Sequence, residues 1–226
     1  MCSRGRTGLE PGDLCEVRVA EQIANRLGFI RHARYVLRDF MRMHAPWLAR
    51  YIGNFHLGED RILLESTIFA NLRDDADMNR ILFVGCDWYT KPYESMFQTK
   101  EYWTLEIDAK KRRYGARRHV ADALKNLGHH VKAGYFDAIV CNGVFMRTAI
   151  DTREEAEPSF EACHRCLRPG GWFILGWNDT DELRPYRPSE SPALAAFEPA
   201  VFPALGVSEF LTNTDYRHTY TFYKKP

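Results

Sequence analysis

Residues 80–90 read Arg-Ile-Leu-Phe-Val-Gly-Cys-Asp-Trp-Tyr-Thr, an apolar run that ends at a glycine. The run from Ile81 to Val84 contains two β-branched residues and is bounded by polar residues on one side and by Gly85 on the other. This pattern is typical of a fully buried strand. Ligands of open α/β sheets bind beyond the carboxyl ends of the strands, and a glycine there lets the backbone approach a bound molecule closely. The sequence therefore predicts a buried strand with a ligand at Gly85.

Three later segments repeat this pattern at the spacing of successive strand–helix units. Residues 102–108 form an apolar run that ends in acids, and residues 136–143 form another that ends in Asn142-Gly143. Residues 167–171, Leu-Arg-Pro-Gly-Gly, then turn into the apolar run 172–178. Strands that alternate with helices favour a parallel sheet. The four segments together predict an α/β domain.

In their order and their motifs, these segments resemble the class I S-adenosylmethionine-dependent methyltransferases of the small-molecule type. The resemblance covers roughly Asn79 to Asn178, and its most specific part is the order of the segments, with Asp122 between the second and the third. It implies an α/β fold with a Rossmann-like, doubly wound, mostly parallel seven-stranded sheet, a C-terminal antiparallel hairpin and an N-terminal helical lid. It also implies S-adenosylmethionine as the cofactor and S-adenosylhomocysteine as the product.

The first loop departs from the pattern of these enzymes. Their loop has glycine at three alternating places after the strand, whereas this chain keeps only Gly85 and has Asp87 and Tyr89 at the other two. The loop must therefore take a wider path, or the cofactor must be held differently. A methyltransferase fold that no longer holds the cofactor, and that acts as a scaffold or binding module, stays open as an alternative.

The resemblance implies roles for residues at the first two strand ends. Gly85, Cys86 and Asp87 would lie against the methionine portion of the cofactor, where the acid at Asp87 can pair with the amino group. Glu106 matches the acid that accepts hydrogen bonds from both ribose hydroxyls, since a carboxylate offers two acceptor oxygens to two donors. Asp108 competes for the ribose, although its place favours capping the next helix.

Two further polar residues follow the later strands. Asp122 matches the group that accepts a hydrogen bond from the adenine amino group, and Asn142 lies where this fold meets both the methionine end and the substrate. The cofactor-binding set implied by the resemblance is Gly85, Cys86, Asp87, Glu106, Ile107, Asp122, Ala123 and Asn142.

The sequence does not predict a catalytic base. Methyl transfer from a sulfonium depends mainly on holding the methyl carbon in line with a nucleophile and on keeping water away. The histidines have no visible partners, and a lone histidine is more often structural than catalytic. Four aromatic residues suit either an acceptor pocket or the core, namely Trp88, Tyr89, Tyr93 and Trp177. Cys163 and Cys166 have a Cys-x-x-Cys spacing without a second pair, so we expect ordinary helix residues and no metal.

Length and composition narrow the class of protein. The chain has 226 residues, 45% of them hydrophobic and 27% charged, which suits one decorated domain or one domain with an appendage. A net charge of +1 gives no general indication of nucleic acid or of an acidic membrane surface. No segment reaches the roughly 18 apolar residues of a membrane span. The basic N-terminus has no apolar stretch behind it, so we expect no signal peptide and a cytoplasmic location.

The order of segments predicts three regions. Residues 1–12 are expected to be flexible, residues 13–70 to form N-terminal helices that act as a lid, and residues 79–226 to form the methyltransferase domain. The third helix of the lid is predicted over Glu59 to Asn71. Residues 178–203 are rich in proline and are expected to form a substrate loop. Alternating residues at 207–211 and 217–223 predict the final hairpin.

Residues 110–113 and 117–118 form a basic run after the second predicted strand. A solvated helix face and a nucleic-acid contact both fit it, and the absence of interleaved aromatic residues favours the face. We therefore predict a methyltransferase that acts on a small-molecule acceptor in specialised metabolism, with neither membrane nor nucleic acid as a partner. A protein or RNA substrate and a homodimer stay open as alternatives.

Overall fold

The computed structural model describes residues 58–226. The chain divides into two units, Met1–Phe55 and His56–Pro226, and every described residue belongs to the second. The expected flexible segment 1–12, and the expected helices as far as residue 57, lie outside the described residues. The division into three regions and the lid role of the N-terminal helices stay predictions.

The helices are few and mostly short. Helix α1 (Glu59–Leu63) continues through a π-helical turn (Leu64–Ile68) into α2 (Phe69–Asp74), which confirms the helix predicted over Glu59 to Asn71. Helix α3 covers Tyr93–Met96 and α4 covers Arg153–Cys166. Short 3-10 helices occur at Trp88–Thr90, Ala109–Tyr114, Leu124–His129, Pro188–Glu190 and Leu194–Ala196. The helix expected after the second strand is thus a 3-10 helix, and Asp108 caps it as predicted by accepting from Lys110 N at 2.9 Å.

In the part of the chain that the structure describes, eight strands form one sheet. They are β1 (Arg80–Val84), β2 (Glu101–Leu105), β3 (Arg118–Val120), β4 (Phe136–Phe145), β5 (Leu167–Asn178), β6 (Glu198–Pro199), β7 (Glu209–Leu211) and β8 (His218–Lys224). The order across the sheet is β3-β2-β1-β4-β5-β8-β6, and β7 also pairs with β8. The first five strands are parallel, and β8 is antiparallel to β5, β6 and β7.

This topology confirms the predicted mostly parallel sheet and the C-terminal antiparallel hairpin of β7 and β8. The number of strands is eight instead of the predicted seven. The difference arises within the proline-rich segment that was expected to be only a loop, because Glu198 and Pro199 pair with the end of β8. A proline is acceptable there, since an edge strand does not need every N–H for the ladder.

Both faces of the sheet are covered, as expected of a doubly wound fold. Successive side chains of a strand point to opposite faces, so Leu82 and Val84 join the core on the α4 side, whereas Ile81 and Phe83 join the core on the side of α1 and α2. Cys163 and Cys166 of α4 are buried free thiols, and burial raises the pKa of Cys163 well above its ordinary value. Their packing agrees with ordinary helix residues.

One buried acid joins the strands at their amino ends. Asp137, at the start of β4, accepts hydrogen bonds from the backbone N–H groups of Asn79 and Arg80 at 2.8 and 2.7 Å. Its other oxygen accepts from Arg168 Nε at 2.6 Å. The Phe-Asp-Ala and Leu-Arg-Pro-Gly-Gly motifs therefore hold three neighbouring strands in register, and the carboxyl ends of these strands meet at one edge.

Candidate active site

A cavity of about 670 Å³ lies at the carboxyl edge of the parallel strands. Its wall combines the ends of β1, β2, β4 and β5 with the start of β8, the segments after β2 and β3, and two residues of α1. The polar and charged residues that line it include Asp60, Arg61, Asp87, Glu106, Asp108, Lys111, Lys125, Asn142, Asn178, Tyr216 and His218. This is the place where open α/β sheets bind ligands.

Gly85 gives the cavity its floor at the end of β1. Its φ angle is 88°, and a Cβ built on it would lie 2.6 Å from Val144 Cγ1. Both facts exclude a side chain at this position. The glycine predicted from the sequence therefore lets the end of β1 pack closely against Val144 at the edge of the cavity.

The loop after Gly85 replaces the missing glycines with a short capped turn. Asp87 Oδ1 accepts from Trp88 N at 2.7 Å, and Thr90 Oγ1 accepts from Asp87 N at 3.1 Å. These bonds form a capping box for the 3-10 helix Trp88–Thr90. Cys86 and Asp87 still line the cavity, so the wider loop keeps their place beside it.

Glu106 lies at the end of β2 with only 9% of the residue exposed. Its Oε2 accepts from Cys86 N at 2.8 Å, and its Oε1 accepts from Asp108 N at 2.9 Å. Each carboxylate oxygen has a further lone pair, so the group can accept two more hydrogen bonds from a ligand. Asp108, the alternative acid, uses one of its oxygens to cap the 3-10 helix Ala109–Tyr114. The geometry favours Glu106 as the acceptor for a vicinal diol.

An apolar wall follows Glu106. Ile107 is 70% exposed and lines the cavity together with Ala123 and Leu124. A large aliphatic side chain that stands open beside a fixed carboxylate suits a flat apolar ring packed against it. Ile107 and Ala123, both in the predicted cofactor-binding set, thus line the cavity, and their contact with a base stays a prediction.

Asp122 is not among the residues that line the cavity. Its Oδ1 accepts from Ala123 N at 2.7 Å and from Asn126 Nδ2 at 2.9 Å, and its Oδ2 lies 2.8 Å from His130 Nε2. The hydrogen bond with His130 lowers the pKa of Asp122 to about 2. The carboxylate therefore braces the turn that carries Ala123, and its contact with the adenine amino group stays a prediction.

Lys111 is the member of the basic run that turns into the cavity. Its Nζ donates to Asp87 Oδ2 at 2.9 Å, and this hydrogen bond raises the pKa of Lys111. Its neighbours Lys110, Arg112 and Arg113 are exposed, as a solvated surface requires. The ion pair connects the loop after β1 to the 3-10 helix after β2.

The opposite end of the cavity is organised around a buried histidine at the start of β8. His218 is 3% exposed, its Nε2 lies 2.9 Å from Asn142 Oδ1, and its Nδ1 lies 2.7 Å from Asn178 Oδ1. Gly176 makes room for this arrangement, since a Cβ there would lie 1.9 Å from Asn142 Oδ1. Burial lowers the pKa of His218 to about 4, with Asp60 opposing the shift and Arg61 adding to it.

A neutral imidazole donates at one nitrogen and accepts at the other. One of the two carboxamides beside His218 therefore turns its oxygen to the ring and the other turns its NH2 group, since rotation of an amide exchanges the two. Asn142 and Asn178 both line the cavity. When the His218 ring is neutral, one of these two asparagines keeps its amide oxygen for a ligand, and the other keeps its NH2 group.

Residues of α1 complete this end. Asp60 Oδ1 accepts from the Tyr216 hydroxyl at 2.9 Å. Arg61 donates to the Tyr93 hydroxyl at 2.7 Å, and its guanidinium lies 4.1 Å from the centre of the Tyr89 ring. Tyr89 and Tyr93 line the cavity, which agrees with the first of the two locations considered for them, an acceptor pocket or the core. Trp88 and Trp177 do not line it, and the Trp177 indole instead donates to Thr221 Oγ1 at 3.0 Å.

The polar residues of the cavity that sequence reasoning missed include Asp60, Lys111, Asn178 and His218. A topological signal was present for two of them. The start of a C-terminal strand that runs antiparallel to β5 must lie beside the carboxyl end of β5, and Asn178 and His218 are register partners. Lys111 could not be distinguished from the other residues of the basic run. Asp60 lies on a helix whose packing the sequence does not specify.

Comparisons with known proteins support the resemblance to methyltransferases. Residues 82–175 match the family model described as a methyltransferase domain. No curated protein sequence matches the chain. The match includes β1, the Glu106 strand end and most of β5, and it supports the expected cofactor class.

Solved structures share the fold at low sequence identity. NodS, an N-methyltransferase from Bradyrhizobium japonicum solved with S-adenosyl-L-homocysteine, is 11% identical over 75% of this chain and 89% of its own, with a TM-score of 0.54. A TehB-like SAM-dependent methyltransferase from Corynebacterium glutamicum is 17% identical over 74% of this chain and 94% of its own, with a TM-score of 0.51. A SAM-dependent methyltransferase from Methanosarcina mazei is 13% identical over 70% of this chain and 96% of its own, with a TM-score of 0.50. Residues 82–175 are thus similar to a methyltransferase domain, and the described residues share the Rossmann-like fold of these solved methyltransferases.

Proposed function

We propose that this protein is an S-adenosylmethionine-dependent methyltransferase that acts on a small-molecule acceptor. The observation that carries the proposal is the Glu106 carboxylate, held at the cavity edge by two backbone N–H groups with acceptor capacity to spare. Gly85 on one side and the exposed Ile107 on the other complete a surface for a nucleoside. The methyltransferase-domain match over residues 82–175 supports the same reading.

The residues present fit the cofactor. Glu106 would accept from the ribose hydroxyls, Ile107 and Ala123 would pack against the adenine ring, and Asp87 would face the amino group. Gly85 and Cys86 would lie under the methionine chain, and Asn142 would lie at the reacting end. When bound, S-adenosylmethionine supplies a methyl group on a sulfonium, whose departure leaves a neutral thioether.

The protein contributes to the chemistry by positioning the acceptor and by excluding water from the site. A neutral leaving group needs no acid, so alignment of the acceptor and exclusion of water account for most of the rate. His218 has both ring nitrogens engaged by amides, and its pKa of about 4 makes it a weak base. We assign His218, Asn142 and Asn178 to acceptor binding, and we assign no general base.

A small acceptor is supported by the shape and lining of the cavity. A volume of about 670 Å³ falls within the range of small-molecule pockets. The basic residues Lys110, Arg112 and Arg113 stand exposed and do not line the cavity, so they do not extend it into a basic groove. A role in specialised metabolism and a cytoplasmic location belong to the same proposal.

Within residues 58–226, no helix has the length and apolarity needed to cross a membrane.

Transfer of a labelled methyl group tests the proposal. The purified protein is incubated with methyl-tritiated S-adenosylmethionine and, separately, with metabolite, protein and RNA fractions of a cell extract. Label incorporated into the metabolite fraction by the wild type, and greatly reduced for Glu106→Gln, is the expected result. Label confined to the protein or RNA fraction would contradict the small-molecule assignment, and absence of label in all three would favour the scaffold alternative.

A further inference from the structure

The loop after β1 offers no open backbone donor between Gly85 and Trp88. Gly85 N donates to Leu105 O at 2.8 Å, and Cys86 N donates to Glu106 Oε2 at 2.8 Å. Asp87 N donates to Thr90 Oγ1 at 3.1 Å, and Trp88 N donates to Asp87 Oδ1 at 2.7 Å. An anionic group beside this loop therefore finds no open backbone donor among these four residues, and a side chain can supply the donor instead.

Lys111 supplies such a donor at the same place. Its ammonium carries three N–H groups, of which one donates to Asp87 Oδ2 at 2.9 Å, so two more can bond a ligand. Asp87 in turn accepts one bond on each oxygen from Trp88 and Lys111, and each oxygen has a further lone pair. The pair thus has unused donors and unused acceptors side by side at the cavity wall.

The pair is open enough to take a ligand. The Lys111 and Asp87 side chains are 38% and 29% exposed. An ion pair of this exposure contributes little to folding, and its geometry is easily adjusted. A zwitterion that binds beside it places its ammonium near the carboxylate and its carboxylate near the ammonium, so opposite charges alternate around the site.

We propose that Asp87 and Lys111 together bind the charged amino-acid end of the cofactor, with Lys111 holding the carboxylate. The inference rests on the proposed function and adds Lys111 to it. The ion pair thereby takes over the anion-binding task that free backbone N–H groups of a glycine-rich loop would perform. Two other cations line the cavity, but Arg61 is held by Tyr93 and Tyr89, and Lys125 adjoins the apolar wall at Leu124.

The test compares two ligands that differ only at the amino-acid end. S-adenosylhomocysteine carries the zwitterion, whereas methylthioadenosine ends in a methyl group. We expect Lys111→Met to weaken S-adenosylhomocysteine roughly tenfold or more in calorimetric titration, since a charge-assisted hydrogen bond is lost, and to leave methylthioadenosine unchanged. Lys110→Met, one residue earlier and outside the cavity, should change neither, and Lys111→Arg should recover much of the loss.

The possible outcomes separate the two proposals. If the wild type binds neither ligand, the proposed function fails. If the wild type binds S-adenosylhomocysteine and Lys111→Met weakens both ligands equally, Lys111 only braces the loop and the inference is wrong. It is equally wrong if Lys111→Met changes neither ligand. Asp87→Asn keeps the Oδ1 acceptor for the Trp88 cap, and we expect it to reproduce the selective loss; thermal melting of each variant confirms that it is folded.

Discussion

The two ends of the cavity are built in different ways. The end that we assign to the nucleoside, the nucleoside end, is assembled between residues 85 and 124 from the ends of β1 and β2 and the segments after β2 and β3. Much of it is fixed by hydrogen bonds from backbone N–H groups. The acceptor end draws on α1, β4, β5 and β8, from Asp60 to His218, and is fixed by side chains that bond one another. One end follows from local motifs, whereas the other exists only after the whole sheet has formed.

This difference predicts how each end responds to substitution. Changes at the nucleoside end should reduce cofactor binding without altering the fold. Changes at the acceptor end should alter stability and its dependence on pH while leaving cofactor binding largely intact.

The largest effect is expected from Gly85→Ala. The added Cβ would lie 2.6 Å from Val144 Cγ1, so either the loop or Val144 must move. We expect S-adenosylhomocysteine affinity to fall about 100-fold, equivalent to about 2.8 kcal/mol. Gly206→Ala is the control, because Gly206 also has a positive φ of 70° but open space at its Cβ. Both variants should lose about 1 kcal/mol of stability from the strained φ, and wild-type affinity in Gly85→Ala would contradict the assigned floor.

The next largest effect concerns His218 and pH. Its folded pKa of about 4 lies below the ordinary value of 6.5, so the unfolded state binds more protons and stability falls as the pH drops from 6.5 towards 4. Between pH 7 and pH 5 we expect the wild type to lose about 2 kcal/mol more than His218→Gln. Urea unfolding of both proteins at the two pH values measures this difference. Equal losses would show that His218 is not buried in its neutral form.

His218→Gln also tests whether the two ends of the cavity can be changed independently. We expect its affinity for S-adenosylhomocysteine to stay close to that of the wild type, because the described contacts of His218 are with acceptor-end residues. A large loss of affinity in a folded variant would mean that the two ends are not separable.

A smaller effect is expected from Glu106→Gln. The substitution keeps the shape but removes the charge and one acceptor oxygen, so S-adenosylhomocysteine affinity should fall more than about tenfold. Glu101→Gln, at the other end of β2, is the control, since Glu101 also bonds neighbours, namely Trp103 and Tyr135, but does not line the cavity. The ribose assignment fails if the two variants bind alike.

The smallest effect is expected from Ile107→Ser. Loss of apolar contact with an adenine ring should weaken S-adenosylhomocysteine about three- to fivefold. Ile62→Ser is the control, because Ile62 is also exposed, at 47%, but lies on α1 outside the cavity. Equal affinity of the two variants would show that Ile107 does not contact the base.

The sequence predicted two residues of the nucleoside end because Gly85 and Glu106 directly follow apolar runs. Gly85 and Glu106 could be placed at strand ends from hydrophobic pattern alone, and the resemblance to methyltransferases supplied their roles. The sequence did not predict that Asp122 also bonds its own turn through Asn126 and His130, because no local motif indicates these contacts.

The acceptor end could not be predicted for a physical reason. Asn142, Asn178 and His218 meet only through the register of β4, β5 and β8, and a pattern of hydrophobicity does not fix register between distant segments. The eighth strand escaped prediction similarly, because Glu198 and Pro199 have no strand-like sequence and pair only through the edge of β8. The ion pair of Asp87 and Lys111 depends on a loop shape that no local motif indicates.

The most direct test of the central claim is calorimetric titration of the purified, folded protein with S-adenosylmethionine and S-adenosylhomocysteine. A cavity with a fixed Glu106 carboxylate, a closely approached Gly85 and an open apolar wall predicts micromolar binding of at least one of them. Failure of the folded protein to bind either would contradict the methyltransferase assignment and leave the fold as a scaffold.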